Sequence, residues 1–347
     1  MGPATIPTPL LSLVTMPNSL HTLHVTWEPS ISNVLNLQIR WTSLKELHLT
    51  STPSDQPDPS LITSKVAELC PSLVSFKLEL SCAWISTASL SPPPASHWTH
   101  LRNFDLTIAD GVRAIVDERP SWAFWRIFQG MTAPALTNLS LKTGIDMTSS
   151  YPMRYLSEPA QRFVSHLPFE NMIFESGCRI SHLSLSNIFL LSLEGALTRS
   201  LELFPSLTSL TLMDYTNRIR LAQINRQYHI PHQNLTSFLG SLSSSANILP
   251  DITELRISDC QLENIEPIVS FAKARSNKLK DVPVDLGIVN IEEVMKITQI
   301  MSSADFCDSM TDLRVEKGVK VDWKWTTDVP DVFRESLYVY DRPYSGM

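Results

Sequence analysis

An apolar residue, two variable residues, a second apolar residue, one variable residue and a third apolar residue recur ten times along the chain. The copies run Leu20 to Val25, Leu44 to Leu49, Leu73 to Leu78, Leu101 to Leu106, Leu136 to Leu141, Ile180 to Leu185, Leu207 to Leu212, Ile252 to Ile257, Leu279 to Val284 and a looser Met310 to Val315. With 43% hydrophobic residues, chance supplies this spacing at about 8% of start sites, so the pattern needs its context. Each copy predicts a strand whose second and third apolar residues face a core. Between copies the period becomes helical. Ser60 to Leu69, Trp122 to Phe128, Pro159 to Leu167, Leu191 to Phe204, Leu235 to Leu242, Ile265 to Ala274 and Ile291 to Met301 read as amphipathic helices. Pro71 and Pro205 stop two of them before the next strand.

Successive copies start 24, 29, 28, 35, 44, 27, 45, 27 and 31 residues apart. The shorter steps fit a leucine-rich repeat of roughly 20–29 residues, and the longer ones hold insertions or degenerate copies. The copy from Asp251 to Leu262 keeps the longest consensus, with Cys260 where the chain turns under the previous strand. The expected fold is therefore α/β: an irregular leucine-rich-repeat solenoid, a curved horseshoe with parallel strands on its concave face and helices on its convex face. Residues 1–19 read as an N-terminal segment or partial capping repeat, with Pro9 to Val14 as the candidate cover. Residues 20–315 form the solenoid, and 316–347 a C-terminal cap strand and tail. In that cap Val319, Val321, Trp323 and Trp325 alternate with polar residues, and the strand is expected to pair back on the last repeat through a turn at Glu316 to Gly318.

The Pro-Ser-Leu-x-x-Leu-x-Leu copies, the irregular repeat length and the closing run from Leu313 to Trp325 resemble the leucine-rich region of fungal F-box-type proteins. The resemblance implies repeats that capture a substrate for a ubiquitin ligase, while a separate helical F-box docks a Skp-type adaptor. About twenty residues precede the first strand, too few for an F-box, so the adaptor is expected to bind only through an F-box outside this sequence.

Composition excludes other classes. The net charge is −7 and the basic residues are scattered, which argues against nucleic acid as a partner. There is no apolar run long enough for a membrane span and no secretory leader pattern. Five cysteines at irregular spacing, Cys70, Cys82, Cys178, Cys260 and Cys307, read as reduced thiols of a cytoplasmic or nuclear protein. The sequons at Asn138 and Asn234 read as chance matches.

The sequence carries no catalytic or metal-binding signature. The pairs His21 and His24, His97 and His100, and His229 and His232 lack the further ligands a zinc site needs. No nucleophile elbow, phosphate-binding glycine loop or Cys-x-x-Cys is present. No enzyme, cofactor or metal is expected. The aromatic run Trp122 to Phe128 reads as core, because its spacing gives a helix one broad apolar face.

The strand signature does predict a surface. Its central outward positions are His24, His48, Lys77, Asp105, Ser140, Ser184, Thr211, Arg256, Pro283 and Arg314, flanked by Glu46, Glu79, Asn103, His182, Glu254, Asp281, Asp312 and Glu316. Those central side chains, Pro283 aside, are the candidate partner-binding residues, with firm contacts expected from the arginine-bearing end. The polar stretches Ser51 to Pro59, Ser91 to Ser96, Thr143 to Glu158 and Met213 to Gln233 are candidate recognition loops. The expected function is non-enzymatic capture of a protein partner, as the substrate-recognition solenoid of an F-box-like ubiquitin-ligase receptor. The alternatives are a leucine-rich scaffold unrelated to ubiquitin and an enzyme whose site lies in the insertions.

Overall fold

In the computed structural model the described residues are 20–27, 35, 39–51, 58–81, 92–109, 119–143, 169–186, 196–213, 233–245, 247–260, 266–286 and 299–325. The chain divides into two compact units, Met1–Thr208 with Asn247–Pro250, and Ser209–Ala246 with Asp251–Met347. The fold is α/β with parallel strands.

In the first unit six strands lie in the order β1 (Thr22–Trp27), β2 (Glu46–Ser51), β3 (Ser75–Ser81), β5 (Asn103–Ala109), β7 (Asn138–Thr143) and β8 (His182–Ser186). All five neighbouring pairs are parallel and in register from copy to copy. The short β4 (Ser96–His97) and β6 (Met131–Thr132) form a separate parallel pair. Helices α1 (Pro59–Leu69), α2 (Arg119–Gln129), α3 (Glu170–Ser176) and α4 (Ala196–Leu201) fall between strands. In the second unit β9 (Ser209–Met213), β10 (Glu254–Cys260), β11 (Asp281–Leu286) and β12 (Lys320–Trp325) are also parallel. There α5 (Gln233–Ser244) packs on α6 (Glu266–Ala274), and α7 (Ala304–Thr311) runs into a π-helical turn at Asp312–Glu316.

One hydrogen-bond motif explains the shared register. The carbonyl of His21 accepts the amides of both Lys45 and Glu46, at 2.8 and 3.0 Å. The carbonyls of Lys45, Val74, Arg102 and Thr137 each accept the two equivalent amides of the next copy, and Thr253 does so in the second unit. In every case the acceptor is the second residue of one copy and the donors are the second and third of the next. A carbonyl has two lone pairs, so one atom can fix where the following strand begins. In the first unit every later residue then stacks on its equivalent, about 4.8 Å away, whereas β10 and β11 slip register between Ile257 and Cys260.

That stacking builds the core. The first, fourth and sixth residues of the copies are buried from Leu44 to Val284; Leu47, Leu49, Phe76, Leu78, Phe104 and Leu106 are examples. In the first unit an aromatic column runs through it. Phe76 stacks on Trp98 at 5.4 Å and on Phe104 at 5.6 Å, Phe104 meets Phe128 of α2, and Phe128 meets Phe169, which meets Phe204. Each such side chain contributes about 2–3 kcal/mol through burial. Of the aromatic face expected for this helix, Phe124 and Phe128 are buried and Trp125 is half-buried, while the Trp122 side chain lies outside what is described; Ile127 is buried beside them.

The helices at 60–69, 235–242 and 265–274 form as expected to within two residues, and the one at 122–128 begins three residues earlier, at Arg119. The predicted helix at 159–167 lies outside the described residues, and α3 was not expected. The tenth copy is a correction. Met310 to Val315 is helical, finishing α7 and making most of the π-helical turn, because Ser303 caps the helix by accepting the Phe306 amide at 3.3 Å and Leu313 is buried as a helical residue. The last strand is β12. It pairs in parallel with β11, Asp281 opposite Lys320, rather than folding back through a tight turn.

Asp58 and Arg126 join two helices. Asp58 is the N-cap of α1, accepting the Ser60 amide at 2.9 Å and the Ser60 hydroxyl at 2.6 Å through Oδ1. Arg126 of α2 donates Nε at 3.0 Å, and also Nη2, to Asp58 Oδ2. Both side chains are over nine-tenths buried. Burial alone raises the Asp58 pKa, but the hydrogen bonds from Arg126 and Ser60 outweigh it and hold the carboxyl below the ordinary aspartate value.

Asp58→Asn removes the carboxylate from the buried Arg126 guanidinium and should cost about 3 kcal/mol in urea unfolding. Because the folded pKa of Asp58 is depressed, its contribution is fully present above about pH 4 and is lost as the pH falls through the folded value, so the acid-side decline in wild-type stability should shrink in the variant. At Gly130 a Cβ would sit 2.6 Å from the Pro94 carbonyl oxygen, so Gly130→Ala should cost about 1–3 kcal/mol. Gly240→Ala, on an open face of α5 with nothing within 4 Å, should instead gain up to about 1 kcal/mol.

Candidate interaction surface

The face opposite the buried rows follows from strand alternation. In the first unit its centre is the fifth residue of each copy: His24, His48, Lys77, Asp105, Ser140 and Ser184 stand side by side across six strands. His24 is exposed and the other five are half-buried. In the second unit Thr211 pairs with Arg256 across β9 and β10, and Pro283 with Asp322 across β11 and β12. Arg314 does not belong to this row. It is an exposed residue of the π-helical turn, which also holds the half-buried Asp312 and the exposed Glu316, and Asp322 takes the position expected for Arg314.

In the first unit most of the charges on this face are paired among themselves. Glu79 accepts from Lys77 Nζ at 2.6 Å and from the Thr50 hydroxyl at 3.1 Å, and lies 3.6 Å from His48 Nε2. Lys142 Nζ reaches Asp105 at 2.8 Å. Asn138 donates to the Asn103 side chain at 2.7 Å, and Thr22 to Glu46 at 3.3 Å. In the second unit Glu254 accepts from Ser209 and Arg256, while Lys320 pairs with Asp322. Such exposed pairs each contribute under about 1 kcal/mol, so they set the chemistry of the face more than its stability.

The imidazole of His24 meets that of His48 edge-on, ring centres 5.1 Å apart. Burial and the Lys77 ammonium hold the His48 pKa below the ordinary histidine value, with Glu79 pulling the other way. Burial alone raises the Glu79 pKa, but the Lys77 and Thr50 contacts outweigh it and hold the carboxyl below its usual range.

Of the stretches expected to be recognition loops, 52–57, 144–158 and 214–232 lie outside the described residues. The end of the first is structural, since Asp58 caps α1. Gly130 N-terminal to β6 and Ser96 of β4 are tied by a 2.8 Å backbone hydrogen bond, so the second stretch, Ser91 to Ser96, ends in a strand pair. Burial pushes the Cys70 thiol up to about 12, far from a nucleophilic thiolate. Among the described residues no three His, Cys, Asp or Glu side chains converge as a metal site requires, and no helix is long and apolar enough to cross a membrane. No family model matches the sequence, and no curated protein matches it.

The His48 environment gives a test. Glu79→Gln should lower the His48 pKa and Lys77→Met should raise it, read from the imidazole resonances in a pH titration by NMR. Opposite shifts would contradict the contacts described above.

Proposed function

We propose that the chain is an irregular leucine-rich-repeat scaffold that binds a protein partner on the polar sheet face of its first unit and performs no catalysis. The supporting observation is the in-register row from His24 to Ser184, a polar surface carried by a rigid parallel sheet. Six strands about 4.8 Å apart span about 24 Å, and the outward positions run about 13 Å along each strand. That is a few hundred Å², well below the roughly 800 Å² per partner of a standard interface. The reading is therefore a short extended polypeptide segment lying across the strands, or a larger partner that also uses the connecting loops.

We extend the proposal to substrate recognition for an F-box-type ubiquitin ligase on the strength of the repeat copies. The reading without ubiquitin is a general interaction scaffold. A Skp-type adaptor that fails to bind the full-length gene product decides for the scaffold.

Ser140→Arg with Ser184→Arg fills the middle of the row with two long charged side chains and should weaken capture of a cross-linked partner by tenfold or more, about 1.4 kcal/mol. Phe174→Arg, on the exposed surface of α3, should leave capture unchanged. Equal effects at both places would reject the sheet face.

A further inference from the structure

We propose that the His24, His48 and Lys77 end of the row docks an acidic polypeptide segment whose binding strengthens as the two imidazoles gain protons, an inference that rests on reading the sheet face as the interaction surface. The geometry carries it. His24 on β1 and His48 on β2 occupy equivalent positions with ring centres 5.1 Å apart, and Lys77 on β3 continues the row. The groups around His48 are His24 with Thr22 and Thr26 from β1, Glu46 and Thr50 on its own strand, and Lys77 and Glu79 from β3. The acids among them are already engaged, Glu79 by Lys77 and Thr50, and Glu46 by the Thr22 hydroxyl.

With both imidazoles neutral, Lys77 stands against Glu46 and Glu79 and the patch is net negative. Two protons make it net positive, so the sign of the field reverses on protonation. Two imidazolium rings this close repel each other. A carboxylate lying between or above them relieves that repulsion, so binding and proton uptake each favour the other by the same free energy. An extended segment crosses adjacent strands at a spacing it can match, since its residues advance by about 3.3 Å and the strands by about 4.8 Å.

The test uses the full chain and a fluorescent peptide of about seven residues alternating Glu and Ser, with a Lys and Ser peptide as control. Anisotropy at about pH 5 should show binding about tenfold tighter than at about pH 7.5, reduced by about 500 mM salt, and absent for the basic peptide. His24→Asn with His48→Asn should abolish the pH dependence, with folding checked by circular dichroism. His24→Lys, at an exposed position, should bind the acidic peptide more tightly than wild type at about pH 7.5. An acidic peptide that does not bind, or tightens equally in the double asparagine variant, overturns the inference. If Ser140→Arg with Ser184→Arg still abolishes partner capture in that case, only this inference falls. If that variant captures normally, the surface reading falls with it.

Discussion

The shared carbonyl at the start of each strand is the constraint on which the rest depends. One oxygen accepting two successive amides of the next copy sets the register before any side chain is considered, and from His21 to Thr137 it does so at every step of the first unit. Once register is fixed, a residue and its equivalents form a continuous row. Apolar rows give the core and the aromatic column; polar rows give the open face. Insertions of different length between copies leave this intact, because they enter after one strand and leave before the next bond is made. Spacings as different as 24 and 44 residues therefore yield the same strand geometry.

Burial decides what each ionic contact is worth. Asp58 and Arg126 are enclosed, so they gain from a full set of charge-assisted hydrogen bonds and would lose heavily if either partner were removed. Lys77 and Glu79 have a contact of similar length but remain open to water. Their pairing is worth little to the fold, and it chiefly fixes the charge that a nearby imidazole experiences. Length alone would rank the two pairs together.

Strand positions were largely legible because three apolar residues at fixed offsets must all reach one core. The misreading at Met310 to Val315 shows the limit of that logic. Met310 and Leu313 are three apart, a spacing that a helix satisfies equally well, and the decisive cue was the Ser303 cap several residues upstream. The true tenth copy starts at Gly318, so a search for an apolar first position passes over it. Helix α3 left a cue in Gly177, which takes a left-handed conformation at its C-terminus. The Asp58 cap was readable from Asp-Pro-Ser, but its partner lies 68 residues away. Nothing local encodes that pairing. On the open face the row membership was legible residue by residue, while the pairing of Glu79 with Lys77 and Thr50 depends on side-chain reach across strands.

In-register stacking also restricts which sequences the open face can tolerate. Equivalent residues on adjacent strands are close enough that like charges destabilise the pair. Across the three outward rows of the first unit no two like charges are adjacent: identical neighbours are neutral, such as His24 and His48 or Ser140 and Ser184, and charged neighbours are opposite, such as Lys77 and Asp105. The second unit breaks the rule once, where Glu254 faces Asp281. There Ser209 and Arg256 both donate to Glu254, drawing its charge away from its neighbour. Two histidines side by side satisfy the rule only while they are uncharged. The same register that makes them tolerable neighbours while neutral makes them costly ones once both are charged, a cost that a bound anion would offset.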